Sequence, residues 1–146
     1  MSGRKVTPVE VGLRYLSLGY DLRRVVDDSM TTGGLSLART KVLQVLDRRG
    51  TVRQSVLAQE LGQAPRSVTQ SVEALEREGL VERTADPHDG RSKLVRLTPE
   101  GTKALIAGTA AGEQVLREVF GAMGAEQLGN LDQLLDALWA ALSGAA

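Results

Sequence analysis

Two short stretches of this sequence carry side chains that could do chemistry. In the first, "PRSVTQSVEALERE" (residues 65–78), apolar and polar positions separate when the chain is wound as a helix at about 100° per residue. Val68, Val72 and Leu75 fall on one side, with Ser71 beside them. Arg66, Gln70, Glu73 and Arg77 fall on the other, flanked by Ser67, Thr69 and Ala74. These are residue types that read base edges: Arg pairs with guanine, Gln with adenine, and hydroxyls serve either. A helix N-terminus also favours a phosphate. The second stretch, "DPHDGRSK" (residues 86–93), crowds acids, a turn and bases into one tip. Arg91 has the character of a minor-groove probe, because negative potential concentrates in a narrow groove. Asp89 lies close enough along the turn to hold the Arg91 guanidinium by a charge-assisted hydrogen bond. Lys93, with Arg83, would contact phosphate. Taken alone, the first stretch also fits the solvated side of an ordinary helix. The second also fits a solvated loop with one local ion pair of little energetic weight.

The elements around these stretches weigh against the bland readings. Residues 8–30 read as a helix, with Val11, Tyr15, Leu18, Leu22, Val25 and Val26 at helical spacing. Ser36 is a good N-cap for a second helix carrying Ala38, Val42, Val45 and Leu46, which "RRG" ends with bases and a glycine. "TVRQSVLAQELG" reads as a short third helix with Val56, Leu57 and Leu61 inward, Ala58 at a close crossing and Gly62 as its stop. Pro65 opens the fourth helix, and Gly79 closes it. A short helix, a tight turn with glycine and a second helix make a helix-turn-helix. The period then changes. "LVERT" and "KLVRLT" are short, β-branched and alternating, as strands are. Asp86 before Pro87 favours extended backbone, and Asp89-Gly90 is a turn signal, so the opening phrase reads as the tip of a β-hairpin. A helix-turn-helix followed at once by such a hairpin is a winged helix, whose tip reaches the groove beside the recognition helix. Thr98-Pro99-Glu100 starts a long helix that Gly108 and Gly112 weaken, and a final helix carries Leu128, Leu131, Leu134, Leu135, Leu138, Trp139 and Leu142.

Composition narrows the alternatives. The chain has 146 residues, enough for one domain or a compact pair of subdomains, with 42% hydrophobic and 3% aromatic residues. The core is therefore expected to be Leu, Val and Ala. No apolar run reaches a bilayer span, so no membrane partner is expected, and "MSGRKVTPVE" lacks the apolar region of a signal peptide, so the cytoplasm is the expected location. There is no cysteine and one histidine, His88, so thiolate or clustered metal sites are not expected. No phosphate-cradling glycine loop, nucleophile motif or metal spacing is present, so neither an enzyme nor a cofactor is expected. Net charge is zero, although the first fifty residues lean basic and the last stretch acidic. A DNA-binding reading must then rest on local geometry. A winged-helix module that binds protein instead of DNA is the alternative.

"SVLAQELGQAPRSVTQSVEALEREGLVERTADPHDGRSKLVRLTPEG" resembles the core of the MarR family of bacterial transcription regulators, most specifically in "GLVER", the "DPHDGRSK" wing and "LTPEG". The resemblance is strongest from Leu37 to Leu105, and the order and length of the end helices extend it over nearly the whole chain. Ser71 departs from it, since an aliphatic residue usually stands there; Val72 is placed to compensate. The expected fold is mainly α with a small β wing. A winged helix-turn-helix core (residues 35–98) would be flanked by an N-terminal dimerisation helix (1–34) and C-terminal dimerisation helices (99–146), in one compact domain. The resemblance implies an obligate homodimer with interlocked end helices, reading palindromic double-stranded DNA, most simply as a repressor. The stripe of Leu128, Leu131, Leu135, Leu138 and Leu142 with Trp139 suits this independently, being more apolar than one short domain needs. On this reading Arg66, Ser67, Thr69, Gln70, Arg91 and Lys93 bind DNA, and Asp89 supports the wing. Family members often release DNA on binding a small aromatic or anionic effector. Arg14, Tyr15 and Arg39 could line such a pocket, and could equally be surface residues. Thiol oxidation and zinc sensing do not fit this composition.

Overall fold

A computed structural model describes residues 3–144. Helix α1 (Pro8–Thr32) starts in a capping box, in which the Thr7 hydroxyl accepts the Glu10 amide and the Glu10 carboxylate accepts that of Thr7. Helix α2 (Leu37–Arg49) is capped twice. Ser36 Oγ accepts the Arg39 amide at 3.2 Å, and Asp27 Oδ1, from α1, accepts the Leu37 amide at 2.8 Å. The third element departs from the expectation of a helix over all of "TVRQSVLAQELG". Val52–Arg53 form a two-residue strand, β1, and helix α3 runs only over Gln54–Leu61. Gly62 ends α3 in the left-handed region (φ 61°), where a side chain would be disfavoured, and α4 (Pro65–Arg77) follows.

Strands β2 (Val81–Asp86) and β3 (Asp89–Leu97) form an antiparallel hairpin, and β1 joins the other edge of β3, giving the order β1-β3-β2. The turn is Pro87-His88, not Asp89-Gly90, which already lie in β3. Helices α5 (Pro99–Phe120) and α6 (Ala125–Gly144) complete the order.

The core is aliphatic, as the composition requires. Val42, Leu43, Val45 and Leu46 of α2 meet Leu57 and Ala58 of α3, Val68, Val72 and Leu75 of α4, Val81 and Val95 of the sheet, and Leu105 of α5. Ala38 is exposed and Leu43 takes its place in the α2 stripe. Ser71 is half-buried while Val72 is fully buried, so Val72 does supply the apolar contact.

The chain divides into two compact units within α5, one ending at Gly112 and the other starting at Glu113. The expected boundary at residues 98 and 99 does not coincide with this division, because the first half of α5 is bound into the N-terminal unit. Thr98 donates its hydroxyl to the Gly79 carbonyl at 2.6 Å and accepts the Gly101 amide at 3.0 Å. Gly101 sits against the Leu80 carbonyl, where a Cβ would overlap the oxygen. A Cβ at Gly108 would lie 3.1 Å from Leu35 Cδ2, and one at Gly112 would lie 3.1 Å from Met30 Sδ. These two glycines permit close approach in addition to lowering helix propensity.

Replacing Gly101 by Ala is therefore expected to lower unfolding free energy by about 1–3 kcal/mol through overpacking against backbone. Gly129→Ala on α6, where a Cβ meets nothing within 4 Å, should raise it by up to about 1 kcal/mol. Urea denaturation of the two variants checks the contrast.

Candidate nucleic-acid interface

Burial of Val68, Val72 and Leu75 turns the opposite face of α4 to solvent. Arg66, Ser67 and Gln70 are exposed there, with Glu73 and Arg77 further along the helix. Among the described residues, Arg66 and Arg77 take part in no ion pair. Thr69 is placed differently. It is half-buried, its hydroxyl donates to the Pro65 carbonyl at 2.9 Å and it accepts the Gln54 side-chain amide at 2.6 Å. With its proton and one lone pair engaged, this hydroxyl ties α4 to the start of α3 and has no proton left to donate to an outside partner.

The wing is built by two aspartates. Asp86 is buried, at 5% exposure, despite its charge. Its Oδ1 accepts the His88 amide at 2.9 Å, an Asx turn across Pro87. Its Oδ2 accepts from Arg53 Nε at 2.8 Å. The His88 hydrogen bond, followed by the Arg53 charge, outweighs desolvation and holds this carboxyl below its ordinary pKa. Asp89 serves the other strand: Oδ1 accepts the Arg91 amide at 3.0 Å and Oδ2 accepts the Ser92 hydroxyl at 3.1 Å. The expectation that Asp89 holds the Arg91 guanidinium is corrected, because both oxygens are turned to the backbone and to Ser92. Strand register jumps from Ala85↔Lys93 to Asp86↔Asp89, so Gly90, Arg91 and Ser92 form a bulge that β2 does not match. Arg91 projects from that bulge, exposed, and Lys93 follows it, also exposed. Among the described residues neither forms an ion pair.

Arg83, expected at phosphate, points inward instead. Its guanidinium donates to Glu76 Oε1 at 3.1 and 3.3 Å and lies 3.9 Å from Glu73, clamping β2 to α4. The hydrogen bond from Arg83 holds the Glu76 carboxyl below its ordinary pKa. Arg53, Asp86 and Glu76 were not singled out from the sequence. Asp86 before Pro87 signalled only extended backbone, and nothing local marked Arg53 as its partner 33 residues away.

Residues 33–92 match the family model described as MarR family. This segment, which holds the helix-turn-helix and most of the wing, is similar to the MarR family. It is 30% identical over 94 residues to the HTH-type transcriptional regulator YdgJ of Bacillus subtilis, covering 64% of this chain and 57% of that protein. The chain thus matches little more than half the length of this curated relative. A MarR-like transcription regulator from Bacillus cereus, solved by crystallography, superposes with a TM-score of 0.79 at 26% identity, over 91% of this chain and 96% of that one. A mutant MarR from E. coli, solved in complex with operator DNA, superposes at 0.71 with 21% identity, over 89% and 94% of the two chains.

The three residues suggested for an effector pocket are not brought to one cavity. Arg39 pairs with Glu78 at 2.5 Å, while Arg14 and Tyr15 are exposed on α1. A cavity of about 420 Å³ lies instead further along α1, lined by Tyr20, Arg23, Arg24 and Asp27, with Lys41 of α2 and Gln63. In the C-terminal unit, Leu128, Leu131 and Leu135 line an apolar cavity of about 490 Å³ with Phe120. Leu134, Leu138, Trp139 and Leu142 stand exposed on α6, Trp139 at 68%.

Glu76 has a folded-state pKa below its ordinary value of 4.5, so its contribution to stability is present above that pH and is lost as pH falls through the lower, folded value. Glu76→Gln should therefore lower stability near neutrality and make the acid limb of the stability curve shallower. Urea melts between neutral pH and pH 3 check both effects; an unchanged acid limb would contradict the pairing.

Proposed function

We propose that this chain is a DNA-binding transcriptional regulator that works as a homodimer on a palindromic site, acting as a repressor by covering it. The supporting observation is the coincidence of unpaired, exposed Arg66, Ser67 and Gln70 on α4 with unpaired, exposed Arg91 and Lys93 on a bulge of the wing. Although the chain has no net charge, these cations and hydrogen-bond donors are left free to meet phosphates and base edges. Thr69 in this reading positions α4 and offers a methyl group to DNA. The operator complex known for the E. coli MarR agrees with it.

Dimerisation accounts for apolar surface that the single chain leaves uncovered. Val9, Leu13, Leu16 and Tyr20 on α1 are between 63% and 72% exposed, and Leu128, Leu138, Trp139 and Leu142 on α6 are between 43% and 68% exposed. Faces of this size on a protein of ordinary composition belong in an interface. Leu131 and Leu135, which are half-buried, would complete the α6 side. A two-fold dimer would set its two recognition helices roughly 34 Å apart, one turn of DNA. A small aromatic anion would fit the α1–α2 cavity, with Arg23, Arg24 and Lys41 for its charge and Tyr20 for its ring. Arg14 and Tyr15 lie on the helix leading to it. Among the described residues no helix is long and apolar enough to cross a membrane, and we place the protein's action in the cytoplasm.

Selection of bound fragments from random duplex DNA should recover an inverted repeat, and sedimentation should show a dimer. Gln70→Ala should cost about 1–3 kcal/mol on that site and relax its base preference. Arg91→Ala should weaken binding with the dimer intact. A monomer in solution, or wild-type binding by both variants, would overturn the proposal.

A further inference from the structure

The pair formed by Arg53 and Asp86 crosses the width of the sheet. Arg53 lies on β1, Asp86 ends β2, and β3 runs between them. β1 has only two residues and two register positions, Val52↔Val95 and Arg53↔Leu94, so backbone pairing alone holds it weakly. The ion pair adds a strap from this edge to the wing turn, and Arg53 is joined directly to Gln54, the first residue of α3. Asp86 is one of the few buried polar residues described, with a side-chain exposure of 4%, and both of its oxygens are engaged. Losing Arg53 would leave a buried carboxylate without its counter-charge beside the bulge that carries Arg91.

We infer that Arg53 and Asp86 are positioning residues for DNA binding: the pair fixes the Pro87-His88 turn relative to the helix-turn-helix and so sets where Arg91 and Lys93 meet the duplex. This rests on the regulator reading above. The arginine reaches Asp86 through Nε–H, a directed donor that lysine cannot reproduce with its point charge. The strap thus depends on geometry as well as charge.

The test is a double-mutant cycle on the selected operator, read by titration at several salt concentrations, with circular dichroism and sedimentation confirming fold and dimer. Arg53→Ala should weaken binding about tenfold, comparable to losing one groove contact. Asp86→Asn, which keeps an acceptor for the His88 amide but loses the charge, should weaken it similarly. In an Arg91→Ala/Lys93→Ala background, adding Arg53→Ala should change affinity less than about twofold, since nothing remains to be positioned. Arg53→Lys should behave like Arg53→Ala and carries the test if the alanine variant does not fold. A full additional loss in the double background, with the salt slope reduced by about one unit and restored by lysine, would make Arg53 a direct phosphate contact and overturn the inference. Wild-type binding by Arg53→Ala would overturn it as well. If Arg91→Ala/Lys93→Ala itself bound like wild type, the regulator reading would fail instead.

Discussion

Seating the Val68, Val72 and Leu75 stripe of α4 into the aliphatic core is the contact on which the rest of the winged helix depends. All three side chains are fully buried, against Leu43 and Leu46 of α2, Leu57 and Ala58 of α3, and Val81 and Val95 of the sheet. A helix has only one rotation that buries all three, and that rotation sends Arg66, Ser67 and Gln70 outward. Ala58 lets α3 and α4 cross closely, and Thr69 adds a directional lock by bonding Gln54 across the turn. The outer face is therefore set by the inner one. Its residue types are free to follow a ligand because they carry none of the packing.

The wing obeys a different logic. Its tip has little apolar surface, so its shape comes from hydrogen bonds to two carboxylates. Asp86 closes the Pro87-His88 turn and Asp89 shapes the bulge. Carboxylates suit this task because each presents two acceptors to backbone amides in a fixed plane. Residues two apart on a strand share a face, so Arg91 and Lys93 are presented together, and the bulge leaves Arg91 without an opposite residue on β2. At the base of the wing, Arg83 takes over with Glu76 and Glu73, joining the strand to α4. Wing and helix are thus related through charge pairs as well as through the core.

The sequence made the helices, the hairpin and the helix-turn-helix legible because each has a period or a cap that acts within a few residues. Ser36, Gly62, Pro65, Gly79 and the Thr98-Pro99 start all stand at the boundaries their chemistry requires. What was illegible depended on distant partners. Two residues are too few for a period, so β1 merged into the expected third helix; its strand character comes from pairing with Val95 and Leu94. Asp89-Gly90 looked like the turn because that dipeptide is a strong local signal, but the buried Asp86 acceptor stabilises the turn two residues earlier. Arg83 looked like a surface base because its carboxylate partners are seven and ten residues back, across a turn. The bond that Gln54 donates to Thr69 was hidden in the same way, because its two residues are fifteen apart.

A neutral chain can still present a local positive face if its other cations are matched. From β1 to the end of β3, Arg53 pairs with Asp86, Arg83 with Glu76 and Glu73, and Arg96 with Glu82. Arg48 and Arg49, just before that stretch, share Glu60. Most of these pairs are solvent-exposed and contribute little to stability. Their larger effect is on the distribution of charge, because each cancels a cation away from the outer face of α4 and the bulge. Arg66, Arg77, Arg91 and Lys93 are left as the unmatched cations of the segment among the described residues. Screening limits the reach of the rest of the molecule to roughly 8 Å at physiological salt. A phosphate approaching this face therefore responds to these four charges and hardly to the zero total. Net charge is in this case the wrong scale at which to ask whether the protein can hold DNA.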